Sequence, residues 1–126
     1  MQERSEAAQT ERAFTVRRVR ADDIPHVIAL DKRITGLAKP KYWQDVLARY
    51  GDRGHERSFL VAEAAHKPRT PILGFIIGEV RAWEFGSSPC GWVFALSVEP
   101  RARLQGVGEA LFEAISREFK AAGVDK

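Results

Sequence analysis

Val98-Glu99-Pro100-Arg101-Ala102-Arg103-Leu104-Gln105-Gly106-Val107-Gly108-Glu109 is the stretch whose residue types and spacing can do chemistry. An apolar run passes through a short basic loop into two glycines that open a helical pattern. The first N–H groups of a helix have no intrahelical acceptor and carry the positive end of its dipole, so such a junction can hold an anion. Gly106 and Gly108 put no side chain between that backbone and a ligand. A pyrophosphate can therefore reach the amides of the turn, with Arg101 and Arg103 adding charge nearby. The same glycines can also serve only to let the helix pack tightly on a sheet. A dinucleotide fingerprint needs a third glycine and an early βαβ unit, and a nucleoside-triphosphate loop needs Gly-Lys-Ser/Thr; neither is present.

Other reactive residue types carry less. His26, His55 and His66 share no spacing that suggests a metal site, and surface positions are expected for them. Cys90 stands alone, which forbids an internal disulfide, and no His or Asp lies near it in sequence to activate it. Trp83, Phe85 and Trp92 flank Gly86-Ser87-Ser88-Pro89 and either line an acceptor pocket with Thr35 and Tyr42 or plug the core.

The elements that must position the glycine turn read in order. Residues 1–13 lack apolar periodicity and are expected to be a flexible tail. Residues 14–20 alternate as a strand, and Asp22 stands where a helix N-cap belongs, with Pro25 tolerated in the first turn. Ile24, Val27, Ile28 and Ile34 mark one face of the first helix. After Thr35-Gly36, Pro40 opens a second helix with Tyr42, Trp43, Val46, Leu47 and Tyr50 on its apolar side, ending at Gly51. Residues 58–62 and 72–80 form a hairpin across Lys67-Pro68-Arg69-Thr70-Pro71. Residues 92–98 are apolar on both faces, which predicts a central strand. Gly106 to Ala122 is the best helix, with Val107, Leu111, Ile115 and Phe119 in one stripe, Glu113 and Arg117 paired outside, and Gly123 at C′. Val124-Asp125-Lys126 looks like the start of a further strand.

The order β-α-α-β-β-β-α, with Val-x-Pro ending the fourth strand and Arg103-Leu104-Gln105-Gly106-Val107-Gly108 after it, resembles the GNAT superfamily of acyl-CoA N-acyltransferases and its motif A. The resemblance runs from Phe14 to Asp125. It implies an α/β (α+β) GNAT-like fold, a mainly antiparallel central sheet flanked by helices, in one N-acetyltransferase domain over residues 14–126. That domain would be C-terminally incomplete, truncated before the fifth strand. It implies acetyl-CoA as co-substrate, with its pyrophosphate on the amides of Leu104, Gln105, Gly106, Val107, Gly108 and Glu109 beside Arg103. The pantetheine arm would lie against Leu96, Ser97 and Val98. No metal is implied.

The implied chemistry is direct attack of a primary amine, on a small molecule or a peptide, on the thioester carbon. A lysine-type amine with a pKa near ~10.4 is almost wholly protonated at neutral pH, so a general base is useful. Some family members carry a Glu early in the fourth strand, where this chain has Cys90, Gly91, Trp92 and Val93. Glu79 is the candidate that can reach the cleft, with Glu84 in the adjoining loop, although each also reads as a solvated carboxylate. Glu99 is expected to bind backbone at the loop. The implied remainder of the domain, supplied by a longer chain or by a second copy in a homodimer, would build the other wall of the cleft. The 126-residue chain alone is thus expected to turn over acetyl-CoA poorly. The alternative reading is a non-catalytic acyl-CoA-binding regulatory module.

Composition sets the outer bounds. A chain of 126 residues suits one core, and 44% hydrophobic with 29% charged residues argues against disorder. The net charge of +3 is modest and mixed with carboxylates, so a small polyanion fits it at least as well as a nucleic acid, which is ranked last as a partner. The single cysteine suits a reducing compartment, so a cytoplasmic address is expected. No apolar run reaches the roughly 18 residues of a membrane span.

Overall fold

The computed structural model describes residues 14–51, 56–65, 72–81, 90–100 and 106–124. Along them run β1 (Phe14–Arg18), α1 (Ile24–Thr35), α2 (Pro40–Tyr50), β2 (Arg57–Ala64), β3 (Ile72–Arg81), β4 (Cys90–Val98) and α3 (Val107–Ala121). The expected element order holds. The strands form one antiparallel sheet in the order β1-β2-β3-β4, and the fold is α+β.

Alternation along the strands divides the core in two. Phe59, Val61, Phe75 and Ile77 point to one face and pack with Val27 and Leu30 of α1 and Trp43 and Val46 of α2. Leu60, Ala62, Ile76 and Val98 point to the other and pack beneath Val107, Leu111, Ile115 and Phe119 of α3. Each such side chain contributes roughly 1.5–3 kcal/mol when fully buried, so α3 owes its place to its stripe. The sheet meets that stripe with glycine. A Cβ on Gly74 would lie 3.2 Å from Leu111 Cδ1 and Val107 Cγ1, and one on Gly78 would lie 3.0 Å from Ile115 Cδ1 and Phe119 Cζ. A Cβ on Gly91 would run into the Phe119 ring.

The helix pair is tied by polar groups that its sequence spacing did not reveal. Asp31 of α1 is buried; its Oδ2 accepts from Trp43 Nε1 at 3.1 Å and pairs with Lys39 Nζ at 3.1 Å. Such a buried carboxylate is tolerable because both partners are present. Asp23, rather than Asp22, precedes α1. It ends a short 3₁₀ turn, Ala21–Asp23, and its Oδ2 reaches back to the Arg20 N–H at 2.7 Å. Arg17 donates to both oxygens of Asp23, at 2.7 and 2.8 Å, and to both of Glu63, at 3.2 and 3.1 Å. Burial alone would raise the Asp23 pKa, but the hydrogen bonds from Arg17 and the Arg20 backbone outweigh it and hold the carboxyl below its ordinary range. The hydrogen bonds from Arg17 depress Glu63 in the same direction. Arg18, on the opposite face, pairs with Glu118 of α3 at 3.1 Å. Glu113 and Arg117 lie exposed on α3, and the ion pair expected between them is not formed.

Two further expectations are corrected. β4 is an edge strand of the described sheet and β2 and β3 are its centre: in the strand order β4 neighbours β3, and Trp92, Phe94 and Leu96 are 41, 44 and 47% exposed. An apolar pattern on both faces reports what a strand can bury, not where in the sheet it stands. Ile34 belongs to the apolar stripe of α1 by spacing, yet it is exposed at the helix end.

Candidate functional site

An open cleft of about 410 Å³ lies where β4 ends and α3 begins. Leu96, Ser97 and Val98 line it from the strand, Gly106, Gly108 and Glu109 from the helix start, and Ile34 from α1. The helix start is set by Gly106, whose φ of 79° is left-handed and would strain any other residue. The Ala110 N–H donates to the Gly106 carbonyl at 3.0 Å, closing the first helical turn. The amides of Val107, Gly108 and Glu109 precede that bond and have no intrahelical acceptor. A Cβ on Gly108 would meet only Val98 Cγ2, at 3.5 Å, so the bare position is not demanded by packing.

Six of the positions expected to hold the coenzyme thus line one cleft. Val107 keeps its side chain in the core and can offer only backbone. Arg103, Leu104 and Gln105 lie outside the described residues, as do Arg101, His55, His66, Trp83, Glu84 and Phe85.

Glu79 is not among the cleft residues. It faces Trp92 across the β3–β4 ladder, whereas Phe75, four residues earlier on β3, faces Ser97. About 13 Å of strand therefore separates Glu79 from the cleft's Ser97. Its Oε1 accepts from Arg81 Nε at 3.3 Å and Nη2 at 3.1 Å, and the Arg81 guanidinium lies 4.8 Å over the Trp92 ring. Glu99, expected to bind backbone, instead pairs its carboxylate with Arg33, because the last turn of α1 comes alongside the end of β4. Thr35 donates its hydroxyl to the Asp31 carbonyl at 2.8 Å, and Tyr42 stands exposed against Trp43. Among the described residues no group of three His, Cys, Asp or Glu could hold a metal ion.

One feature on β4 had no sequence signal. Ile77 pairs with Ala95 and Gly78 with Val93, so Phe94 has no opposite residue and forms a β-bulge. The extra residue leaves the ladder and bends the strand. Phe94 turns to α2, its ring 5.2 Å from that of Tyr50. The bulge precedes by two residues the stretch Leu96 to Val98 that lines the cleft.

Residues 7–126 match the Acetyltransferase (GNAT) family. The chain belongs to the GNAT acetyltransferase family. Solved structures agree with this GNAT chain in fold. Glucosamine-6-phosphate N-acetyltransferase from Arabidopsis thaliana superposes with a TM-score of 0.73 at 17% identity, over 90% of this chain and 78% of its own. The aminoglycoside N-acetyltransferase AAC(6')-Iy in complex with CoA gives 0.72 at 19% identity, over 89% and 72%. A GCN5-related glucosamine N-acetyltransferase region of a fungal multi-domain GH3 β-N-acetylglucosaminidase gives 0.70 at 25% identity, over 89% of this chain and 13% of that protein. No curated protein matches this GNAT chain significantly. No helix among its described residues is long and apolar enough to cross a membrane.

Proposed function

We propose that the chain is an N-acetyltransferase that passes the acetyl group of acetyl-CoA to a primary amine by direct attack in a ternary complex. The observation that carries this reading is the convergence of the β4 end and the α3 start on one cleft. Its volume lies in the range of small-ligand sites. Its walls suit the two parts of the coenzyme: the first-turn amides of α3, which lack an intrahelical acceptor, for the diphosphate, and the end of β4 at Leu96, Ser97 and Val98 for the pantetheine amides, which can pair like an added strand.

Along that strand the thioester comes to the level of the bulge at Phe94. A backbone N–H released from the ladder there is the proposed donor to the carbonyl oxygen as it gains charge. The amine nitrogen bonds to the carbonyl carbon, the C–S bond breaks, and coenzyme A leaves as thiolate while the amine sheds a proton. Glu79, which faces Trp92 two residues before the bulge, is proposed to take that proton directly or through water. The acceptor is proposed to be a small-molecule or peptide amine, in keeping with the aminoglycoside and glucosamine-6-phosphate enzymes among the structural matches.

The second reading is a module that binds acyl-CoA without turnover. The hold of Arg81 on Glu79 favours it. A coupled assay of thiol release from acetyl-CoA against a panel of amines decides between them: amine-dependent release supports the enzyme, and binding with no release for any amine supports the module.

A further inference from the structure

The rim of the cleft carries an ion pair that the proposed reaction does not use. Arg33, in the last turn of α1, donates from Nε to Glu99 Oε2 at 3.0 Å, and its Nη2 reaches the same oxygen. The residue after Arg33 is Ile34, and the residue before Glu99 is Val98; both line the cleft. Glu99 is fixed through its backbone as well, its N–H donating to the Leu73 carbonyl at 2.7 Å. The pair thus joins two walls at the mouth of the cleft.

Among the described residues, the carboxylates around that mouth oppose an anion. Glu109 lines the cleft and Glu99 adjoins it, and α1 brings the negative end of its dipole to Ile34. Arg33 is the cation in direct contact with Glu99. We propose that Arg33 is a positioning residue for the coenzyme: by neutralising Glu99 at the end of β4, it lets the diphosphate reach the amides of α3. This rests on the reading of the cleft as the coenzyme site. An ion pair with one partner half exposed adds little to stability, whereas an unbalanced charge at a rim acts on the affinity and encounter of a charged ligand.

A double-substitution cycle tests it by calorimetric titration of the 126-residue chain with coenzyme A at low salt. Arg33→Met leaves Glu99 unbalanced and should raise Kd by about 3- to 10-fold, a difference that shrinks at high salt. Glu99→Gln should leave Kd unchanged or lower it, and the double variant should return to within about 2-fold of wild type. Arg33→Lys keeps the charge and should bind within about 2-fold of wild type, which preserves the test if Arg33→Met lowers the unliganded melting temperature. Wild-type affinity in Arg33→Met overturns the inference. So does a loss in Glu99→Gln equal to that in Arg33→Met, which would make the pair a fastener only. Absence of binding by the wild-type chain would instead refute the reading of the cleft and remove this inference with it.

Discussion

Gly108→Leu separates the chemistry of the cleft from the packing around it. Gly108 is the second residue of α3, and growth at its Cβ meets only Val98 Cγ2, at 3.5 Å. Inside the fold the substitution is therefore inexpensive, and leaving glycine in a helix gains roughly 0.5–1 kcal/mol. At a position that lines the cleft, however, a leucine side chain occupies space a diphosphate needs. If the cleft holds the coenzyme as proposed, acetyl-CoA at 100 times Kd should stabilise the wild-type native state by about 2.7 kcal/mol. A chain of 126 residues has an unfolding entropy of about 0.26 kcal/mol/K near 60 °C, so the melting temperature should rise by about 10 °C. Differential scanning fluorimetry of Gly108→Leu should find the unliganded melt within about 3 °C of wild type and the rise almost gone. A full rise in the leucine variant refutes the placement of the diphosphate. An unliganded melt lowered by more than about 6 °C would show that the glycine serves packing instead.

Gly78→Ala should behave in the opposite way: its Cβ would lie 2.6 Å from the Trp92 carbonyl oxygen, so urea unfolding should register a loss of roughly 1–3 kcal/mol. Glu79→Gln should lower the amine-dependent rate by about 10²- to 10⁴-fold with the acetyl-CoA thermal shift unchanged; an unaltered rate removes Glu79 from the proton path. Asp23 and Glu63 are depressed carboxylates, so they stabilise the fold above their unfolded values near ~4 and lose that contribution as pH falls through the folded ones. The melting temperature of wild type should accordingly exceed that of Arg17→Met fully at pH 6–7, and the gap should close below about pH 4. A gap that stays constant down to about pH 3 would show that Arg17 acts through packing alone.

Much of the scaffold was legible because periodicity and punctuation agree. The stripe of α3 and Gly123, at φ 94°, fix both the face and the end of that helix before any contact is known. Hairpin strands β2 and β3 announce themselves by apolar runs separated by turn formers. The cleft was legible to the extent that it depends on local backbone: Gly106, Gly108 and the end of β4 adjoin in sequence as they do in space. What escaped depends on register or on distant partners. The bulge at Phe94 exists only relative to β3, and nothing in Trp92-Val93-Phe94-Ala95 marks which residue will lack a partner. Ile34 continues a core stripe by spacing, and only the approach of α1 to the end of β4 turns it into a cleft wall. Asp31 finds Trp43 and Lys39 only after α1 and α2 pack, so the buried carboxylate has no local signature.

The glycine track beneath α3 carries a consequence for how the proposed site would meet its ligand. With Val107 over Gly74 at one end and Phe119 over Gly91 at the other, the helix cannot slide or roll without driving a methyl or a ring into backbone. The donors at its first turn are thus aimed by contacts about 18 Å further along the rod, at a rise of 1.5 Å per residue. A binder arriving there finds its hosts already in line and spends little on arranging them. Trimming the ring of Phe119 would let the rod rock, and affinity at the far end would register a loss that no atom near the ligand explains.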